Sequence, residues 1–152
     1  MTSIEHVFGN GKGALLLARS AASPSAVWRL LAAPRRWPDW APHIVCVEGE
    51  VTPIVRAGAE LTVRGPGGLP VRTVVTHVAE GRRWDFDAQL PGPFVLTSAH
   101  EVRPQGGGAE VGVRMRFTRG PAAALLDRTA LMVYLPLAAV AVRRLARLAE
   151  RS

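Results

Sequence analysis

The stretch that decides the fold is Pro121–Glu150, PAAALLDRTALMVYLPLAAVAVRRLARLAE. It comes directly after Gly120 and reads as one long helix. Pro121 suits a first helical turn, and Ala, Leu, Arg and Met dominate the residues after it. From Thr129 to Val142 there is no charge. A helix this apolar around its circumference calls for cover on nearly every face, and a curved sheet wrapped around it would supply that. The last turns become two-sided, with Leu145 and Leu148 set against Arg143, Arg144, Arg147 and Arg151. Pro136 removes a hydrogen bond and is expected to bend the axis. The uncharged run is too short to span a bilayer, which takes roughly 20 apolar residues. A core helix is therefore expected rather than integral membrane insertion, and a helix lying on a membrane surface is the alternative.

Upstream, the chain offers the sheet. Strands are expected at about 14–21, 44–51, 58–65, 69–79, 82–90, 94–103 and 109–118. The punctuation between them is turn chemistry: Gly65-Pro66-Gly67-Gly68, Glu80-Gly81, Pro91-Gly92-Pro93 and Gly106-Gly107-Gly108. Such short connections demand antiparallel neighbours. Val111, Val113, Met115 and Phe117 alternate with Glu110, Arg114, Arg116 and Thr118. Trp84, Phe86, Ala88 and Leu90 alternate with Arg83, Asp85, Asp87 and Gln89. Period two of this kind means one buried face and one wet face. Between the first two strands, Ser23-Pro24 is an N-cap followed by Pro at the first helical position. Val27, Trp28, Leu30 and Leu31 form the apolar face of that helix, and Pro34 ends it. Trp37-Pro38-Asp39-Trp40 makes a second, compact helical turn.

At 152 residues the chain is one ordinary domain. Residues 1–13 read as a flexible lead-in without the spacing of a phosphate loop, and 14–152 as the domain. Met1–Gly13 shows no apolar signal region, and the single Cys46 has no internal disulfide partner. Both favour a cytoplasmic protein. The formal net charge is +7, almost all from arginine, with Lys12 the only lysine. The arginines are scattered and carry no nucleic-acid motif. Nucleic acid is not an expected partner, although a weak contact of the arginine-rich last turns with an anionic surface is. His6, His43, His77 and His100 are isolated, so no metal site is expected. No nucleotide fingerprint or nucleophile elbow is present, and no cofactor is expected.

The order of elements, together with Ser23-Pro24…Val27-Trp28, Trp37-Pro38-Asp39-Trp40-Ala41-Pro42-His43 and Val75-Thr76-His77-Val78-Ala79-Glu80-Gly81-Arg82-Arg83-Trp84, resembles the START-like (SRPBCC) superfamily of polyketide cyclases/dehydrases and lipid-transport proteins. The resemblance covers roughly residues 14–150. It implies an α+β helix-grip fold: a seven-stranded antiparallel sheet curled around a long C-terminal helix, with two short helices between strands one and two. It also implies a deep apolar pocket for a polyketide, isoprenoid or acyl molecule. Aromatase/cyclases of this superfamily carry a pocket tyrosine after the tryptophan motif and a pocket arginine late in the fourth strand. The matching positions here are the aliphatic Ile44 and Val78, which favours a binder over an aromatase.

Three functions are open to such a chain. The first is binding or transfer of a hydrophobic small molecule, by a monomer or homodimer. The second is a cofactor-independent cyclase, aromatase or dehydratase using pocket acid/base groups. The third is a lipid or quinone carrier at a membrane surface. The expected cavity is lined by Trp28, Trp40, Val74, Val78, Trp84, Phe86, Phe94, Val113 and Met115. Even-numbered residues of the 69–79 strand and odd-numbered residues of the 94–103 strand are expected to face inward, which brings Arg72, Thr76, Thr97 and Glu101 to the cavity. A slip of one residue would turn them all to solvent. Arg72 and Glu101 would then be a candidate acid/base pair. Tyr134 would offer its hydroxyl from the helix, and His43, after Pro42, is a candidate general base at the mouth.

Overall fold

Alternation of apolar and charged residues gives each long strand one face for the interior, and the short turns fold neighbouring strands back on one another. The computed structural model describes residues 5–8, 13–92, 94–117 and 123–152. Its strands are β1 (Glu5–Phe8), β2 (Ala14–Ser20), β3 (Cys46–Gly49), β4 (Glu60–Arg64), β5 (Pro70–Ala79), β6 (Arg83–Gln89), β7 (Val95–Gln105) and β8 (Gly108–Phe117). They form one antiparallel sheet in the order β1-β2-β8-β7-β6-β5-β4-β3. Seven of these strands are the ones expected: β3 to β8 run in a six-strand meander, and β2 pairs with β8 at its end. The eighth, β1, lies in the segment read as a lead-in and pairs with β2 from Glu5↔Leu17 to Phe8↔Ala14. Between β7 and β8, Gly106 and Gly107 both have positive φ (54° and 84°), as a two-residue hairpin turn matched to strand twist requires.

The helices fall where the caps put them. In α1 (Pro24–Leu31), the Ser23 side chain accepts a hydrogen bond from the Ala26 amide at 3.2 Å, and Pro24 opens the first turn. A 3₁₀ turn (Pro34–Arg36) leads directly into α2 (Trp37–Trp40). The long helix α3 runs from Ala123 to Ala149 with Pro136 inside it. This is the helix-grip architecture.

Two expectations need correction. First, α3 is not covered all round. Leu135, Ala138, Ala141, Val142, Leu145 and Ala146 face the sheet and are buried, but Met132 is 64% and Val133 72% exposed, with Leu137 and Val140 on the same outer side. The helix lies over the open side of the sheet, so its outer stripe stays in solvent. Its C-terminal half is pinned there: Ser20 Oγ donates to the Ala146 carbonyl at 2.9 Å, and the Glu150 carboxylate accepts from the Ala21 amide at 2.9 Å.

Second, the phases of β5 and β7 are the reverse of those expected. In β5, Thr73 and Val75 are buried and Val71 is half-buried, whereas Arg72 and Thr76 are exposed. Val78 does pack against the core, but a β-bulge between Val75 and His77 changes the phase upstream of it. Arg72 instead pairs with Glu60 at 2.9 Å in solvent, and Val74 sits on the outer face opposite Asp87. In β7, Leu96, Ser98, His100 and Val102 are buried. Thr97 therefore points outward and bonds Asp87 at 2.7 Å, and Glu101 joins Arg83 (3.4 Å) and Arg103 (2.7 Å) on the wet face.

This one-sided packing sets the expected stability pattern. Leu145→Ala should cost about 2–5 kcal/mol, and Val133→Ala should stay within about 0.5 kcal/mol, measured by urea denaturation. Equal losses at the two positions would contradict the packing of α3 on a single face.

Candidate functional site

The tryptophan motif is built on the end of α1. Trp37 Nε1 donates to the Leu31 carbonyl at 2.9 Å, and Trp40 Nε1 donates to the Leu30 carbonyl at 3.2 Å. Carbonyls in the last turn of a helix have no partner within it, so both indoles supply bonds that would otherwise be missing. This holds Trp37 and Trp40, both buried, against the inner face of the sheet. The chain then turns through Pro42 and places His43 and Ile44 beside α3.

Between sheet, tryptophan motif and α3 lies a cavity of about 260 Å³. Its apolar wall includes Trp40, Ile44, Val63, Val71, Phe86, Leu96, Val113, Met115, Ala138 and Val142, and Gly65 and Pro66 contribute from the β4–β5 turn. A stack of rings runs through the wall. Trp37 and Trp84 are parallel at 5.0 Å between centroids, Trp84 and His100 at 4.3 Å, and Phe86 lies 5.4 Å from His100. The polar lining residues are Thr73, Ser98, His43, His100 and Tyr134. Among the described residues, none that lines the cavity is charged.

The polar groups are set by burial. Tyr134 Oη lies 2.8 Å from His43 Nε2. Burial pushes the tyrosine pKa up to about 12, so its hydroxyl stays protonated, and it holds His43 below the usual histidine range. His100 is more extreme. Burial drives its pKa down to about 4, against smaller upward pulls from Asp85 and the Trp84 backbone. Both imidazoles are neutral at pH 7. Among the described residues, three buried side-chain nitrogens have no hydrogen-bond partner: His43 Nδ1, His100 Nδ1 and Trp84 Nε1.

Of the site residues expected from sequence, the cavity brings together His43, Tyr134, Trp40, Trp84, Phe86, Val113 and Met115. It does not include Arg72, Glu101, Val74, Thr76 or Thr97, which lie on the other face of the sheet. Trp28 is buried in the core on α1, Val78 packs against the core beyond the bulge, and Phe94 sits at the β6–β7 turn against Gly92. Sequence reasoning missed Thr73, Ser98 and His100. The signal for the last two was present: Leu96 and Val102 share their parity, and two strongly apolar residues flanking two polar ones mark the inner face.

The chain belongs to the family described as polyketide cyclase / dehydrase and lipid transport, whose model matches residues 18–152. Among curated proteins there is no significant sequence match. Solved structures repeat the fold. Protein NE0264 from Nitrosomonas europaea is 18% identical with a TM-score of 0.71, over 95% of this chain and 98% of that one. The di-domain ARO/CYC StfQ from the steffimycin biosynthetic pathway is 20% identical with a TM-score of 0.72, over 90% of this chain and 50% of that one. DynU16, from the dynemicin biosynthetic locus, is 20% identical with a TM-score of 0.64, over 91% of this chain and 47% of that one. At these identities the likeness is one of fold. Among the described residues, no helix is long and apolar enough to cross a membrane, and no group of side chains is arranged to hold a metal.

His100 makes the site sensitive to acid. Its pKa is lower in the folded chain, about 4, than the ordinary 6.5. Above pH 6.5 the imidazole is neutral in both states and adds no pH dependence. Between 6.5 and 4 the unfolded chain takes up a proton that the folded chain refuses, so stability falls with pH, by about 3 kcal/mol over the window. His100→Phe keeps a flat ring in the stack and removes this loss. The stability of the variant relative to the parent should therefore rise between pH 7 and pH 4 in thermal or denaturant unfolding. A constant difference would mean that His100 protonates equally easily in both states.

Proposed function

We propose that this protein binds a hydrophobic small molecule in the cavity between the sheet and α3. The observation that carries the reading is the cavity wall itself: about 260 Å³ of space, open on one side, bordered by aliphatic and aromatic side chains, with no charged lining residue among those described. Pockets for drug-sized ligands run from roughly 300 to 1,000 Å³, so a compact ring system or a short isoprenoid or acyl segment suits the space better than a long lipid chain. The family supports the same ligand type through its polyketide and lipid members.

A second reading is favoured by one feature. Tyr134 and His43 form a hydrogen-bonded acid/base pair at 2.8 Å on the wall of the cavity, and a pair of this type can move a proton to or from a carbonyl compound, as a cyclase or dehydratase requires. In this reading His43 is the base and Tyr134 the proton donor.

Met115 is buried at the inner end of β8 and lines the cavity. Met115→Trp should fill the space and weaken binding of an uncharged dye such as Nile red by on the order of tenfold or more, with the folded circular dichroism retained. Undiminished dye binding would place the ligand site elsewhere. His43→Gln separates the two readings. For a binder, a polyketone incubated with the parent protein is recovered unchanged. For a cyclase, the parent converts it, and the variant loses kcat while KM is held.

A further inference from the structure

Among the described residues, the large apolar side chains left exposed are Val45, Leu69, Met132, Val133, Leu137 and Val140. Four of them fall on one stretch of α3, and Pro136, also exposed, lies among them. Single apolar residues scattered over a surface are ordinary, but a contiguous patch marks an interaction site.

The patch continues into charge. Val133, Leu137, Val140, Arg144 and Arg147 follow one another at intervals of four and three, so they share one side of the helix. The stripe is roughly 21 Å long at a rise of about 1.5 Å per residue, apolar over its first half and cationic over its second. Arg143 is exposed beside it, and Arg151 in the turn that follows α3. On the sheet, Arg64, Arg72, Arg83 and Arg103 each pair with a carboxylate. Among the described residues, Arg143, Arg144, Arg147 and Arg151 pair with none. From Arg128 to Ala149 the sequence contains no acidic residue, and the Glu150 carboxylate is turned to the Ala21 amide. The stripe therefore offers hydrocarbon and positive charge with no anion of its own.

The occupant follows from size and chemistry. A stable protein interface, a second copy included, takes about 800 Å² per partner, more than one helical stripe supplies. A bilayer asks for less: shallow entry of a few apolar side chains, added to the attraction between arginines and anionic headgroups. The other two exposed apolar residues support the same partner. The Val45 amide donates to the Arg64 carbonyl at 2.8 Å, and the Leu69 carbonyl accepts from the Gly65 amide at 2.9 Å. Both thus stand next to Ile44, Gly65 and Pro66, which line the cavity, while Tyr134 lines it from α3 beside Val133. The open side of the cavity has an apolar border on the sheet as well as on the helix, and contact with hydrocarbon takes such a border out of water at a gain.

We propose that the outer stripe of α3 is a docking face for an anionic phospholipid bilayer. Val133, Leu137 and Val140 enter the headgroup region, and Arg144, Arg147 and Arg151 pair with the headgroup anions. The contact is peripheral, and it does not depend on what the cavity holds.

Co-sedimentation with phosphatidylcholine vesicles, with and without phosphatidylglycerol, tests this. The parent should bind the anionic vesicles on the order of tenfold or more tightly than the neutral ones. That preference should collapse between about 0.1 M and about 1 M salt, where the Debye length falls from about 10 to about 3 Å. The double variant Arg144→Gln with Arg147→Gln should lose on the order of tenfold in binding to the anionic vesicles. Val133→Ser with Leu137→Ser should lose a similar factor, with circular dichroism and vesicle-free Nile red binding unchanged in both. If the serine pair disturbs folding, Met132→Ser alone should still weaken docking. No sedimentation with anionic vesicles overturns the proposal, and so does equal binding by the parent and both double variants. Equal affinity for the two vesicle types contradicts the part assigned to the arginines. A parent dimer that the serine pair converts to monomer, without vesicle binding, gives the stripe to a second copy instead. In each of these cases retained Nile red binding leaves the cavity reading standing.

Discussion

The structure depends on one geometric constraint: a single helix must cover the concave, apolar face of a wide, twisted sheet. Twist makes neighbouring strands diverge, and a straight rod cannot follow the curved surface along its whole length. The helix α3 is held at one end, where Leu145, Ala146 and Ala149 are buried and Ser20 and Glu150 tie it to the end of β2. Toward its middle it bridges the hollow instead of filling it. Ala138 and Ala141, small residues facing inward, leave the space open, and the tryptophan motif closes it from the side.

The electrostatics follow from the same arrangement. Ion pairs lie on the outer face of the sheet, where Arg83 bonds Asp85 at 2.7 Å and Arg103 bonds Glu101 at 2.7 Å. Exposed pairs of this kind add little stability, but they keep charge away from the cavity. Inside, histidines stand where charged residues would be costly. Stacked on Trp84, His100 remains neutral because its surroundings cannot solvate a cation. The outcome is a basic protein with an uncharged interior space.

Much of this was legible in the sequence. Ser23-Pro24 marked the start of α1, the glycine-rich turns marked the meander, and the uncharged run before Arg143 marked the covering helix. The Trp37–His43 motif also located the side wall of the cavity. The inner faces of β6 and β8 could be read from strict alternation. Those of β5 and β7 could not be read as easily, for two different reasons. In β5 a bulge changes parity after Val75, and no residue type announces a bulge of this kind. In β7 both faces carry polar residues, Thr97 and Glu101 on one and Ser98 and His100 on the other, so alternation did not separate them, although Leu96 and Val102 marked the correct one. Exposure of Met132 and Val133 was equally hidden, because composition shows that a helix is apolar but not how much of it the sheet can reach.

The central claim is that a ligand enters beneath α3 rather than settling on its apolar outer stripe. Methyl-resolved NMR of the protein titrated with 2-acetylnaphthalene distinguishes the two most directly. The account predicts shifts at Met115, Val113, Ala138 and Val142, which line the cavity, and unchanged methyl signals at Met132 and Val133, which face solvent. Shifts confined to Met132, Val133 and Leu137, with Met115 unmoved, would contradict it.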